Sequence, residues 1–249
     1  MIGICADLWP GGYYIGDPKE PMGISRYQHL SYISSLYAIY QVCIKPYINQ
    51  KTRAIEIGPG RGSWTKTMLG ADEVWCLDVL DALHNMFWAY MGIAPEKTRI
   101  RYQVVSDFSC DVLPDAHFDY LFSYGTFCHI PWEGQQLYYR NLYPKLLPGA
   151  MCFVMYANAT KYNWATKLFG DMVITVSRNG NLESLSIPPS TKMVDPNDTK
   201  WAWGNKWFSI DASTLKLFLQ NTGYEVVNED VGLNLRDPII QFRKPQEAK

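Results

Sequence analysis

The run Glu56-Ile57-Gly58-Pro59-Gly60-Arg61-Gly62, with an acid further on at Asp78, constrains this chain more than any other feature. Ala54 to Ile57 reads as a short buried strand that enters a glycine turn and then a helix. Glycines serve two ends there. They allow backbone angles closed to other residues, and they leave no Cβ between the main chain and a ligand lying against it. The next strand, Val74 to Leu77, delivers Asp78 at its carboxyl end. A carboxylate at that position can accept both hydroxyl hydrogens of a ribose, as in the nucleoside-type cofactor sites of open α/β sheets.

A dinucleotide loop would read G-x-G-x-x-G, its helix N-terminus facing a pyrophosphate. Here the glycines are evenly spaced and Glu56 stands two residues ahead of them, an acid that would repel a pyrophosphate but attract, directly or through water, a cationic ammonium group. The segment resembles the E/D-x-G-x-G-x-G signature of class I S-adenosylmethionine-dependent methyltransferases.

The rest of the chain bears on that resemblance. Residues 1–50 hold an aromatic, turn-rich stretch (Trp9 to Tyr14) and a helix expected from a Ser25 cap to about Tyr47, with apolar positions recurring at intervals of three and four. From Arg53 strands and helices alternate. The helices are expected at Ser63–Leu69, Asp81–Met91 and Gln135–Leu147, the last ended by Pro148-Gly149. The further strands are expected at Ile100–Val105, Phe118–Ser123 and Met151–Tyr156. Such alternation predicts a doubly wound parallel sheet covered by helices on both faces. Residues 157–208 break the rhythm, are too long for a simple connection, and read as an insertion forming a lid or substrate wall, with a small strand at Met172–Val176. Residues 209–249 restore order: Asp211 caps a helix to Thr222, Gly223 ends it, and strands follow near Tyr224–Asn228 and Ile239–Arg243. The whole is one domain, with 53–156 as its cofactor-binding core.

The resemblance covers most of 53–156 and the last helix and strands. It implies a Rossmann-like seven-stranded sheet, mostly parallel with one antiparallel strand, carrying an N-terminal helical cap and an insertion after strand five. It implies S-adenosylmethionine as cofactor and S-adenosylhomocysteine as product. Gly58, Gly60, Gly62 and their backbone would cradle the methionine part, with Glu56 near its ammonium. Asp78 would hold the ribose and Val79 lie beside the adenine, while Asp107 would bond the adenine amino group and Phe108 press on the ring. Ser123 and Tyr124 would line the donor methyl.

A hydroxyl acceptor needs a base, and His129, just beyond strand four, is the candidate; an amine acceptor needs none. For substrate contact the candidates are His29, Tyr13, Tyr14, Asn158, Trp203 and Trp207, because aromatic faces with neutral amides suit a sugar or sugar derivative. The stretch from strand four to Asn158 resembles bacterial sugar O-methyltransferases. An N- or C-methyltransferase of secondary metabolism, or a non-catalytic S-adenosylmethionine-binding module, remain alternatives. No metal-ligand cluster is legible, although scattered acids leave room for Mg²⁺.

Composition narrows the partners. Formal net charge is −1, and strand four ends Ser123-Tyr124-Gly125-Thr126 instead of the D/N-P-P-Y/F/W motif of base methylation, so no nucleic acid is expected. No apolar run is long enough for a membrane span. The start of the chain does not read as a signal peptide, and the six cysteines are dispersed, which fits reduced thiols in the cytoplasm.

Overall fold

The computed structural model describes residues 35–169, 173–178, 181–186, 207–234 and 237–246. Nine strands lie among them: β1 (Arg53–Ile57), β2 (Glu73–Asp78), β3 (Ile100–Val104), β4 (Phe118–Ser123), β5 (Leu146–Met155), β6 (Val173–Arg178), β7 (Asn181–Ser186), β8 (Glu225–Asn228) and β9 (Ile239–Arg243). Seven form one sheet in the order β3-β2-β1-β4-β5-β9-β8. β1 to β5 pair in parallel, whereas β9 runs antiparallel to both β5 and β8. The Rossmann-like sheet with one antiparallel strand is as expected. β6 and β7 pair separately as an antiparallel hairpin within the insertion.

The strands read as nearly continuous apolar runs because both faces are covered. Ile55, Ile57, Trp75, Leu77, Leu121, Cys152 and Val154 point into one core, under α3 (Trp132–Leu142) and α5 (Ala212–Thr222). Ala54, Val74, Cys76, Tyr120, Phe122, Phe153 and Met155 point into the other, against α1 (Ser35–Ile39) and α2 (Phe87–Met91). Glu56 falls on this second face by the two-residue period of its strand.

Several helices differ from expectation. α1 passes into a π-helix at Tyr40–Ile44, closed by Lys45 N–H donating to the Tyr40 carbonyl (2.9 Å), because Pro46 lacks the N–H to continue. Its expected start near Ser25 lies outside the described residues. In place of a helix over Ser63–Leu69 there is a short 3₁₀ turn, Thr65–Met68. The Thr67 hydroxyl donates to the Trp64 carbonyl (2.6 Å), and β-branched threonines with local hydrogen bonds compete with an α-helix. The expected helix Asp81–Met91 shrinks to α2, since Asp81 accepts His84 N–H (2.8 Å) in a separate turn and Met86 adopts a left-handed φ of 51°. α3 begins at Trp132, three residues earlier than expected, and stops before Pro144. Pro148-Gly149 ends no helix. It lies within β5, where the register with β4 shifts, and Gly149 takes the φ of +85° that such a bulge requires.

At the carboxyl terminus expectation and structure agree. Asp211 accepts Ser213 N–H as the cap of α5, and Gly223 ends it at φ +104°. The insertion contains α4 (Ala159–Phe169) and the β6–β7 hairpin, and returns to the body at Trp207, where Phe208 N–H donates to the Cys128 carbonyl (2.8 Å) and Ile210 N–H to Ala157 (2.9 Å).

Candidate active site

The chain builds outward through β1, β2 and β3, then returns to lay β4 on the other side of β1. That reversal makes the carboxyl ends of β1 and β4 a topological switch point, the place where open α/β sheets bind ligands. The Asp78, Gly58–Gly62 and Thr126–His129 segments converge there through direct contacts.

The three loop glycines do different work. Gly58, at φ +71°, sits so close to the β4 loop that a Cβ would lie 1.9 Å from Thr126 Oγ1. Gly62, at φ +95°, packs on Met91 and Phe87, where a Cβ would come within 2.8 Å of the Met91 sulfur. A glycine is thus required at Gly58 and Gly62 by protein neighbours. Gly60 alone, at φ +52°, has nothing within 4 Å of its absent Cβ, and Gly125 at the β4 turn is likewise open at φ +77°. Gly58→Ala is expected to cost roughly 2–4 kcal/mol from the left-handed backbone and the clash together, read as a lowered urea midpoint.

Asp78 is half-buried at the end of β2. Its Oδ2 accepts Gly60 N–H (3.1 Å) and its Oδ1 accepts Leu80 N–H (2.9 Å), so the carboxylate ties the glycine loop to the next turn. The Asn85 side chain and the Val79 N–H also hydrogen-bond to this carboxylate, which stands where open α/β sheets hold a ribose. Burial raises its pKa from the ordinary carboxylate value, against the opposing pull of these N–H donors.

Glu56 departs most from expectation. Only 1% exposed, its Oε2 accepts the Thr65 hydroxyl at 2.5 Å, with the Cys76 thiol 3.9 Å away. Burial pushes its pKa up to about 8, so at neutral pH the group is largely a neutral acid that pegs the Thr65 turn beneath the loop.

The remaining cofactor-side candidates divide. Val79 is 66% exposed and open to a ligand. Asp107 is exposed and accepts Ser109 N–H (2.9 Å), a turn bond that lowers its pKa. The Phe108 ring packs edge-on to Tyr138 (5.0 Å) and above Gly134, so at least part of it serves the α3 interface. The Ser123 hydroxyl is buried and donates to the Ile57 carbonyl (2.8 Å), pinning β4 to β1. That bond bridges the two strand ends. Tyr124 stacks at a tilt on Trp64 (5.1 Å), and its hydroxyl accepts from Asn234 Nδ2 (3.2 Å).

His129 ends the 3₁₀ turn Phe127–His129, its N–H donating to the Thr126 carbonyl (2.9 Å). Trp207, from the far end of the insertion, meets the His129 ring edge-on at 5.5 Å. Two candidates far apart in sequence thus come together. Asn158 does not join them. It is buried at the start of α4, where its Oδ1 accepts Lys161 N–H (2.8 Å) and its Nδ2 donates to the Ile210 carbonyl (3.0 Å). Both ends of its amide are engaged within the fold. His29, Tyr13, Tyr14 and Trp203 lie outside the described residues.

Thr65, Thr126, Gln135 and Asn234 were not legible as site residues. Thr126 and Asn234 meet Gly58 and Tyr124 from distant segments, while Thr65 and Gln135 bond to groups five to nine residues away, and no motif signals either kind of contact. Among the described residues there is no group of three or more His, Cys, Asp or Glu that could hold a metal, and no helix long and apolar enough to cross a membrane.

No family model and no curated protein matches the chain. Among solved structures it is similar to the DhpI–SAH complex, with a TM-score of 0.52 and 15% identity over 99% of this chain and 98% of that one. It is also similar to the N-methyltransferase NodS from Bradyrhizobium japonicum, with a TM-score of 0.52 and 11% identity over 84% of this chain and 94% of that one. A third is a SAM-dependent methyltransferase from Methanosarcina mazei, at 0.50 and 13% over 83% and 98%. At these identities the likeness is one of fold.

Proposed function

We propose that the chain is an S-adenosylmethionine-dependent methyltransferase acting on a hydroxyl of a small molecule, with a sugar or sugar derivative as the favoured acceptor class. One observation carries this reading: Gly60 opens at the switch point with no atom within 4 Å of its absent Cβ, while Asp78, at the end of the next strand, holds that same residue's N–H. Those groups fit the aminocarboxylate and ribose of such a cofactor, and the likeness of fold to solved methyltransferases supports the reading. Val79 and Asp107 would flank the adenine, and Tyr124 would border the transfer region. When bound, the cofactor supplies an activated methyl group.

The residues present would do the rest. Asp78 and the Gly60 main chain orient the ligand. Trp207 gives a flat apolar face that suits a sugar's C–H side. His129 would take the proton of the acceptor hydroxyl, a task for which imidazole is matched near neutrality. The five cysteines among the described residues that are buried and free fit a reducing compartment.

Calorimetric titration with S-adenosylmethionine and S-adenosylhomocysteine tests the cofactor. Binding of both is expected, and none by the folded protein would overturn the reading. Binding without turnover of sugar, phenol or amine acceptors would favour a non-catalytic module. For an acceptor that does turn over, His129→Ala is expected to slow O-methylation about a hundredfold. An undiminished rate would shift the proposal to N-methylation, the activity named for NodS.

A further inference from the structure

We propose that Gln135 is a positioning residue that fixes the turn carrying His129, an inference that rests on His129 acting at the acceptor. Gln135 lies in the first turn of α3 with its side chain wholly buried. Its Nε2 donates at 2.8 Å to the Phe127 carbonyl and at 2.8 Å to the Ile130 carbonyl. Those two oxygens bracket His129. Because both neighbours are acceptors, the amide nitrogen must face them, and both of its hydrogens are used.

The consequence is a defect elsewhere in the same side chain. Gln135 Oε1 is buried and finds no hydrogen-bond partner among the described residues. A leucine or methionine would spare that stranded oxygen but leave the Ile130 carbonyl without its donor, so packing alone does not explain an amide here. Holding the His129 turn does. The same turn is gripped from other sides, by Phe208 N–H on the Cys128 carbonyl and by His129 N–H on the Thr126 carbonyl. A Cβ on neighbouring Gly134 would meet both Ile130 and Phe108 at 2.8 Å, so the start of α3 is wedged between the β3 and β4 loops. From there it can set the imidazole against Trp207 while leaving the Asp78 side of the switch point untouched.

The test uses Gln135→Met, which removes the donors at similar length, and Gln135→Asn, which keeps an amide too short to reach both carbonyls. The readout is the imidazole carbon–proton NMR signal of His129, assigned by its loss in His129→Ala and sensitive to the ring current of Trp207. In either variant this signal is expected to move by more than its linewidth, with the His84 and His117 signals in place and S-adenosylhomocysteine affinity within twofold of wild type. An unmoved His129 signal in a folded variant overturns the proposal. So does a parallel shift of all the histidines with loss of S-adenosylhomocysteine binding, or failure of both variants to fold, since each describes general packing. Wild-type protein that binds no S-adenosylhomocysteine would instead count against the methyltransferase reading, while the His129 signal would still report on the clamp.

Discussion

Asp78→Ala is expected to weaken S-adenosylmethionine binding about a thousandfold, corresponding to about 4 kcal/mol for two lost charge-assisted hydrogen bonds to the ribose. The change also removes the acceptor for Gly60 N–H and Leu80 N–H, so part of the loss reflects a loosened loop. Asp78→Asn separates the two contributions. Its amide oxygen can keep one of these backbone bonds while its nitrogen faces the other N–H, and it meets ribose hydroxyls without a negative charge, so an intermediate loss of affinity with a smaller drop in melting temperature than in Asp78→Ala is expected. Calorimetry with both ligands, beside melting curves of both variants, measures this. Wild-type affinity in a folded Asp78→Ala protein would remove the carboxylate from the cofactor site.

Glu56→Gln is expected to abolish a pH dependence of stability that the wild type carries between about pH 4.5 and pH 8. The sign follows from burial. In the folded protein the carboxyl is pushed up to about 8, whereas the unfolded chain ionises near the ordinary value of 4.5. Between those values the unfolded state binds fewer protons. The stabilising contribution is therefore complete below the lower value, declines as pH rises through the window, and is gone above the upper one, with a slope approaching about 1.4 kcal/mol per pH unit. Glutamine keeps the shape and can still accept the Thr65 hydroxyl. The variant should thus match the wild type near pH 4.5 and exceed it by roughly 3–5 kcal/mol at pH 9. Urea titrations at several pH values give the comparison, and parallel curves for the two proteins would contradict a buried neutral Glu56. The same substitution reports on the cofactor: if Glu56 ionises to meet an ammonium group, wild-type binding releases a proton and that of Glu56→Gln does not.

Much of the fold could be read directly from residue order. Ala54–Ile57 and Val74–Leu77 are apolar runs of strand length between turn residues, and Asp211 and Gly223 mark α5 at both ends through chemistry local to the backbone. The short helices after β1 and β2 were less legible. Periodicity there is a weak signal, and what cut them back were side-chain bonds such as Thr67 to the Trp64 carbonyl and the left-handed Met86. Pro148-Gly149 misled because the pair suits a helix end and a strand bulge equally well, and only pairing with β4 distinguishes them.

By itself the sequence determined which residue types stand at the ends of which strands: a glycine turn after β1, an acid after β2, a histidine beyond β4. Those assignments follow from short-range rules of strand, turn and charge. Tertiary structure alone decided what each group is free to do. It seats Thr126 against Gly58, leaves the space before Gly60 open, buries Glu56 as a neutral peg, commits Ser123 and Asn158 to carbonyls of the fold, and brings Trp207 against His129. Availability for a ligand depends on which hydrogen-bond partners and neighbouring atoms arrive from distant segments, and residue order in one strand carries no record of them.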